Sequence, residues 1–396
     1  MFRHIPFACI AIVLTGAGTA SAAQAEAQAL AAGTVLAEVR CAADATESYA
    51  LYVPSSYSAN RQWSLLMAFH PAARGRDMVE KYRAAAEQYG YIVAGSNTSR
   101  NGPWAVSTKA VQAMALDLGQ RFAIDSRRVY LTGMSGGARV ALQVALGTKA
   151  IAGVIASSGG FADSQPRNKV PFAIFSTAGT EDFNYLEMRA LDRRLTSPHR
   201  LGVFEGGHTL PPDTLAFEAI EWLELQAMTA GIRPRDEAVL DRLLEKRRKQ
   251  IDGDGAPSAA ALHQLEALIA DFKGLRDVSA EESRVTALSK IKDVKDAVSR
   301  ERGVEEREQR MLEEFFEIEQ RLQTPDLRIE SLSRLRERLE RWARAAAETA
   351  ASPERDQARR LLSAANAGAS TRTNDTEYLA LLQRYRRSHL PPPDRP

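Results

Sequence analysis

Two cysteines in 396 residues rule out a scaffold stapled by disulfides. Cys9 lies in an N-terminal segment expected to be removed, which leaves Cys41 with no internal partner. No nucleophile-elbow motif surrounds Cys41, so a strand position is expected for it. An excess of either charge is missing too. Lys+Arg 52 against Asp+Glu 50 leaves a formal +2, which points neither to nucleic acid nor to an anionic membrane surface. Long hydrophobic runs are scarce. The most apolar stretch, Ile5 to Leu14 after Met1-Phe2-Arg3, is too short to cross roughly 30 Å of hydrocarbon as a helix. Small residues follow it. Ala20-Ser21-Ala22 fits the small-x-small pattern of signal peptidase cleavage, with Ala23-Gln24-Ala25 as a second site. Residues 1–22 are therefore expected to be a signal peptide. The mature chain is expected in the periplasm or outside the cell, with no integral membrane segment.

Composition changes near residue 230. Up to that point the chain carries 20 Lys/Arg and 19 Asp/Glu; residues 231–396 carry 32 and 31 in a shorter length. Glycine and aromatics thin out over the same boundary. Residues 30–230 read as one α/β domain, 231–390 as an α-helical bundle or a set of helical hairpins, and 391–396 as a disordered tail.

In the first part, short apolar runs alternate with helical ones. Strands are expected at Thr34–Arg40, Ser48–Val53, Ser64–Phe69, Tyr91–Ala94, Arg128–Thr132, Gly153–Ala156, Phe172–Ser176 and Leu201–Phe204. Helices are expected at Met78–Gln88, Lys109–Phe122, Ala138–Leu146, Tyr185–Leu195 and Leu215–Met228. From the third strand on, strand and helix alternate, which predicts a mostly parallel sheet with helices on both faces. Ligands of such sheets bind beyond the carboxyl ends of the strands, so the residues just after each strand carry the interest.

After the fifth strand comes Gly133-Met134-Ser135-Gly136-Gly137, with a helix following at once. Gly-x-Ser-x-Gly between a strand and a helix is a nucleophile elbow: a strained turn exposes the serine hydroxyl, and the glycines permit close backbone approach. Ser135 would also sit at a helix N-terminus, where developing negative charge is favoured. A serine nucleophile needs a base, and only six histidines exist. His4 falls in the expected leader, His263 and His389 in the charged helical half, and His199 before its strand. His70 ends the third strand and reads as a residue that fixes its loop. His208, in Glu205-Gly206-Gly207-His208 after the last strand, is the base the order of elements selects. The acid should lie between the two, and Gly179-Thr180-Glu181-Asp182 after the seventh strand offers Asp182, with Glu181 and Asp163 as alternatives. The order Ser, Asp, His is that of the α/β-hydrolases. Oxyanion donors are expected from the backbone N–H of Gly136 and of Ala72, with Ala73 in reserve because Pro71 has no N–H. Met134, Asn97 and Trp104 are candidates to line a substrate cleft, the last two from the polar loop after the fourth strand. Only 46 residues separate Ser135 from Asp182 and 25 separate Asp182 from His208, which leaves little length for a lid.

These pieces resemble the secreted esterase branch of the α/β-hydrolases that includes polyhydroxybutyrate-depolymerase-like and feruloyl-esterase-like proteins. The likeness rests on the apolar strand ending at His70, Tyr89-Gly90-Tyr91-Ile92-Val93, Val129 through Gly137, Gly179-Thr180-Glu181-Asp182 and Gly206-Gly207-His208. It covers about residues 35–228. It implies an α/β-hydrolase fold and hydrolysis of a small or polymeric ester, without a cofactor. This chain has His70-Pro71 where the family has His-Gly, and Thr209-Leu210 where the family has an aromatic soon after the histidine.

In the helical half, apolar residues recur at heptad-like spacing: Leu262, Leu265, Ile269, Phe272; Phe315, Ile318, Leu322; Leu332, Leu335, Leu339, Trp342, Ala346. About six helices are expected, with starts at Ser279 with Glu282 as a capping box, at Thr324-Pro325 and at Ser352-Pro353. No His/Cys/carboxylate spacing there suggests a metal. No residue after 230 enters the constellation above, so the half reads as an appendage, or as a surface for a protein partner or self-association. Two rival functions share the pattern: a peptidase of the prolyl-oligopeptidase type, and an idle hydrolase domain serving as a scaffold for the helices.

Overall fold

In the computed structural model eight strands form one sheet: β1 (Val35–Arg40), β2 (Ser48–Tyr52), β3 (Trp63–Phe69), β4 (Tyr91–Ser96), β5 (Ile124–Met134), β6 (Ile151–Ser157), β7 (Ala173–Gly179) and β8 (His199–Phe204). Their order across the sheet is β1-β2-β4-β3-β5-β6-β7-β8. The pairs β1–β2 and β2–β4 are antiparallel, and the run β4-β3-β5-β6-β7 is parallel. The structure describes residues 32–163, 165–253, 256–369 and 374–386. The expected signal peptide and tail lie outside the described residues.

Burial follows from position. Every residue of β3, β4 and β7 is buried, as strands covered on both faces require, and their near-continuous apolar sequences reflect it. Edge strand β1 is short and buries no residue. Five helices accompany the sheet: α1 (Gly75–Tyr89), α2 (Trp104–Arg121), α3 (Gly136–Gly147), α4 (Tyr185–Arg194) and α5 (Asp213–Thr229). Gly90 stops α1 in the left-handed region at φ 71°, and its N–H goes to Ala86 O at 2.9 Å, so the chain turns directly into β4. Against one face, Leu66, Tyr82, Phe175, Ile220 and Trp222 form a core; each such side chain is worth about 1.5–3 kcal/mol by area removed from water.

Carboxylates inside this unit are paired. Glu224 accepts from Tyr91 Oη, Arg128 and Arg233. Asp117 accepts from Tyr49 Oη at 2.6 Å, Arg121 at 2.7 Å and the Ala42 N–H at 2.9 Å. Cys41 lies one residue past β1 and is buried; burial and then Asp117 push its thiol up to about 12. It is a packed thiol with almost no thiolate at neutral pH.

The chain divides into two compact units. One holds the described residues up to Ala178, Glu187–Phe204 and Thr209–Lys246; the other holds Gly179–Leu186, Glu205–His208 and the described residues from Arg247 on. Beyond residue 230 the described residues form seven helices: α6 (Glu237–Gly253), α7 (Ala259–Phe272), α8 (Ser279–Leu288), α9 (Lys292–Arg321), α10 (Pro325–Ala346), α11 (Pro353–Gly368) and α12 (Thr376–Arg386). The first turns of α6 belong to the sheet unit, where Arg242 donates to Tyr89 Oη at 3.2 Å and Lys246 to Glu221 at 2.6 Å. Helices α9 to α12 share a core of Phe315, Leu335, Leu339, Trp342, Leu361 and Tyr378; on α9 and α10 it is the face the heptad-like spacing marks. Ser352 caps α11 by accepting the Arg355 N–H at 3.1 Å, with Pro353 in the first turn. At α8 the expected capping box does not form. Ser279 is already helical, and its N–H is taken by Asp277 Oδ1 at 2.9 Å.

The mostly parallel, helix-flanked sheet is an α/β-hydrolase fold followed by a mainly helical region, as expected. Among the described residues no helix is long and apolar enough to cross a membrane.

Candidate active site

The elbow stands at the carboxyl end of β5, the middle strand of the parallel run. Ser135 has φ 52° and ψ −118°, a conformation costing a non-glycine residue about 1–3 kcal/mol. The turn is held by the Ser135 N–H donating to Ser157 O at 2.7 Å and the Arg139 N–H donating to Ser135 O at 3.2 Å. The motif's glycines are needed for contact. A Cβ on Gly133 would meet Gly137 backbone at 2.2 Å, and one on Gly137 would meet Phe69 O at 2.1 Å. Strand end, helix start and the neighbouring strand therefore touch backbone to backbone, which fixes where the serine stands. Among the described residues the non-glycine residues with positive φ are Ala73, Ser135 and Ser158, which follow β3, β5 and β6. Strain in this unit thus gathers at one edge of the sheet, the edge at which such folds place their chemistry.

Asp182 and His208 are brought together. The loop after β7 closes by the Asp182 N–H donating to Gly179 O at 3.1 Å and the Tyr185 N–H donating to Asp182 O at 2.9 Å. It is tied to the loop after β8 by the Glu181 N–H on Gly206 O at 2.8 Å. Asp182 is fully buried, and its Oδ1 lies 2.8 Å from His208 Nδ1 and accepts the Asn184 N–H at 2.8 Å. An ionised carboxylate only accepts, so Nδ1 carries the proton and Nε2 is the basic nitrogen of the neutral ring. Phe183 lies along the imidazole at 4.1 Å between centroids, a neighbour that the sequence pattern did not single out. The alternative acids are engaged elsewhere: Glu181 pairs with Arg359 at 2.5 Å, and Asp163 is an exposed partner of Arg167.

The other histidines have ordinary partners. His70 is buried; its Nδ1 accepts the Ala72 N–H at 3.0 Å and Arg74 approaches Nε2 at 3.0 Å. Burial, and then the Arg74 charge, hold its imidazole below the usual histidine value, so it is neutral at pH 7. His199 is on Ser197 O at 2.7 Å at the amino end of β8, and His263 lies beside Glu301 and Glu266.

Ala72 therefore directs its N–H at His70, whereas Gly136 begins α3, where N–H groups have no acceptor within the helix. Asn101 lies over Gly136: its Oδ1 would be 1.8 Å from a Cβ there. Of the cleft candidates, Met134 is the buried last residue of β5, and Asn97 uses its amide on Ala37 O at 3.0 Å. Trp104 opens α2 and does not lie in the loop before it; it is 36% exposed. Another pair went unseen in the sequence. Arg139 of α3 grips Glu187 bidentately at 2.7 and 2.8 Å, and Glu187 accepts the Gly160 N–H at 3.0 Å, which braces the turn after β6. A cavity of about 770 Å³, lined by Tyr130, Ile151, Phe172 and Leu223 among others, opens at the amino-terminal edge of the strands, away from the elbow. Among the described residues no group of three or more His, Cys, Asp or Glu could hold a metal ion.

No protein-family model matches the chain, and no curated protein matches it. Solved structures do. A thermostable esterase is 17% identical over 48% of this chain and 62% of its own, with a TM-score of 0.37. An S-formylglutathione hydrolase from Staphylococcus aureus is 15% identical over 45% of this chain and 90% of its own, with a TM-score of 0.36. An esterase from Pyrobaculum calidifontis is 10% identical over 52% and 88%, with a TM-score of 0.39. This chain thus spans less than two thirds of the thermostable esterase. Likenesses of this degree carry nothing about chemistry.

Proposed function

We propose that this chain is a serine hydrolase that cleaves carboxylic esters through an acyl-enzyme on Ser135. His208 is the general base and then the general acid, and Asp182 is the carboxylate that orients it. The observation that carries the reading is the strained elbow at Ser135, where a hydroxyl is presented at the start of a helix. The His208–Asp182 pair supports it, as does chain connectivity: Asp182 comes three residues after β7, a strand of the same parallel run as β5.

In the first half-reaction Ser135 Oγ attacks the acyl carbon while His208 Nε2 takes its proton. The imidazolium so formed is stabilised by Asp182, which keeps its own charge. The oxyanion is met by the Gly136 N–H and the α3 dipole. Ala72 would supply a second donor only by giving up His70. His208 then returns the proton to the leaving alcohol, and water repeats the sequence to release the acid. The substrate class is a small or polymeric ester, following the resemblance to the secreted esterase branch. The leader pattern in residues 1–22 extends the reading to export, with no integral membrane segment left in the mature chain. Residues 231–396 could in addition serve a protein partner or self-association. Hydrolysis of a series of soluble esters by wild type, with turnover lost in Ser135→Ala at unchanged melting temperature, tests the reading. Turnover retained in Ser135→Ala would overturn it.

A further inference from the structure

Two consecutive arginines of α11 reach two consecutive residues of the loop that carries Asp182. Arg359 donates to Glu181 at 2.5 Å, and through Nε to Ala346 O at 3.0 Å. Arg360 donates to Thr180 O at 2.6 Å, and its guanidinium lies 4.3 Å over the Tyr185 ring. Thr180 and Tyr185 bracket Asp182, so the acid's turn is held at both ends.

Arg360 is not a surface cation that folded back. It is 5% exposed, and its Nε and Nη2 form a bidentate pair with Glu308 of α9 at 2.8 and 2.6 Å; Glu308 is 1% exposed. A buried ion pair is a poor way to stabilise a helical bundle, because apolar side chains of the same volume do it as well or better. A guanidinium fork, however, can hold a carboxylate with one edge and still donate elsewhere, with its direction fixed. Here the remaining edge ends on the main chain of the acid's loop.

We propose that Arg360, held by Glu308, is a positioning residue: it fixes the Gly179–Tyr185 loop and thereby the Asp182 carboxylate against His208. This rests on the hydrolase reading above. It also gives the helical region a part in the chemistry, which the sequence did not assign. A carboxylate displaced by about 1 Å can cost on the order of 10²-fold in rate with substrate binding unaltered.

The test uses the full chain and a soluble ester. Arg360→Met with Glu308→Leu removes both charges together and leaves the core apolar. The expected result is a fall in kcat of at least about tenfold with KM within about twofold. In an Asp182→Ala background the same pair of changes should cost less than about twofold, because the group it positions is already gone. Arg360→Lys, which keeps one charge but lacks the fork, should lie between wild type and the paired variant, and it takes the paired variant's place if that protein gives no cooperative melt. Wild-type kcat in the variants, or an equal loss in both backgrounds, overturns the positioning role. If wild type does not hydrolyse the ester through Ser135, it is the hydrolase reading that fails.

Discussion

Asp182→Asn keeps the shape of a fully buried side chain and removes its charge. Its Oδ1 has two donors, His208 Nδ1 and the Asn184 N–H, each at 2.8 Å. With the amide oxygen in that place, both hydrogen bonds survive, but the imidazolium formed during attack loses its counter-charge. At an effective dielectric constant of about 20 and a charge separation of about 4 Å, that loss is about 4 kcal/mol, or about 10³-fold in kcat. With the amide turned the other way, its NH₂ faces the imidazole and selects the wrong tautomer, for a loss nearer 10⁴-fold. The expected range is therefore about 10³ to 10⁴ in kcat, with little change in KM. Glu181→Gln is the control. It breaks a partly exposed pair with Arg359, worth about 0.2–1 kcal/mol of stability, and should leave kcat within about threefold. Steady-state kinetics on a soluble ester, with circular dichroism melts of both variants, decide the matter. A folded Asp182→Asn with more than about a tenth of wild-type kcat, or a Glu181→Gln more damaging than Asp182→Asn, would refute the assignment.

Gly137→Ala drives a Cβ into Phe69 O and should cost about 1–3 kcal/mol by overpacking, read as a lower melting temperature, together with loss of ester turnover. An unchanged melt and rate would mean that the elbow has room the structure does not show. Cys41, with its thiol raised to about 12, should resist a thiol reagent at pH 8 in the native chain and react at once in denaturant. Rapid native labelling would contradict its burial.

Much of this architecture was legible in the sequence, and the limits have physical causes. Buried parallel strands need apolar residues on both faces, so runs such as Leu65 to Phe69 announce themselves. The elbow is legible because its glycines answer to backbone contacts that no other residue permits. Helix α2 starts at Trp104, five residues before the expected Lys109, because Pro103 reads equally as loop or as helix N-cap. The capping box at Ser279 failed because Asp277, two residues earlier, reaches the N–H first. His70 is legible as the residue that fixes its loop, but which N–H it takes depends on ring orientation, and the ring takes that of Ala72, the expected oxyanion donor. Arg359 and Arg360 were invisible for a different reason. In a half with 32 Lys/Arg, a buried arginine has the same local pattern as one on a solvated face, and only packing against Glu308 separates them.

The central claim is that Ser135 Oγ is an activated nucleophile. A fluorophosphonate probe added to the purified protein, followed by mass mapping of the modified peptide, tests it most directly. The account predicts one adduct per chain, on Ser135, formed quickly in wild type, slowly in Asp182→Asn and not at all in Ser135→Ala. A folded wild type that takes no label, or an adduct on a different residue, would contradict it.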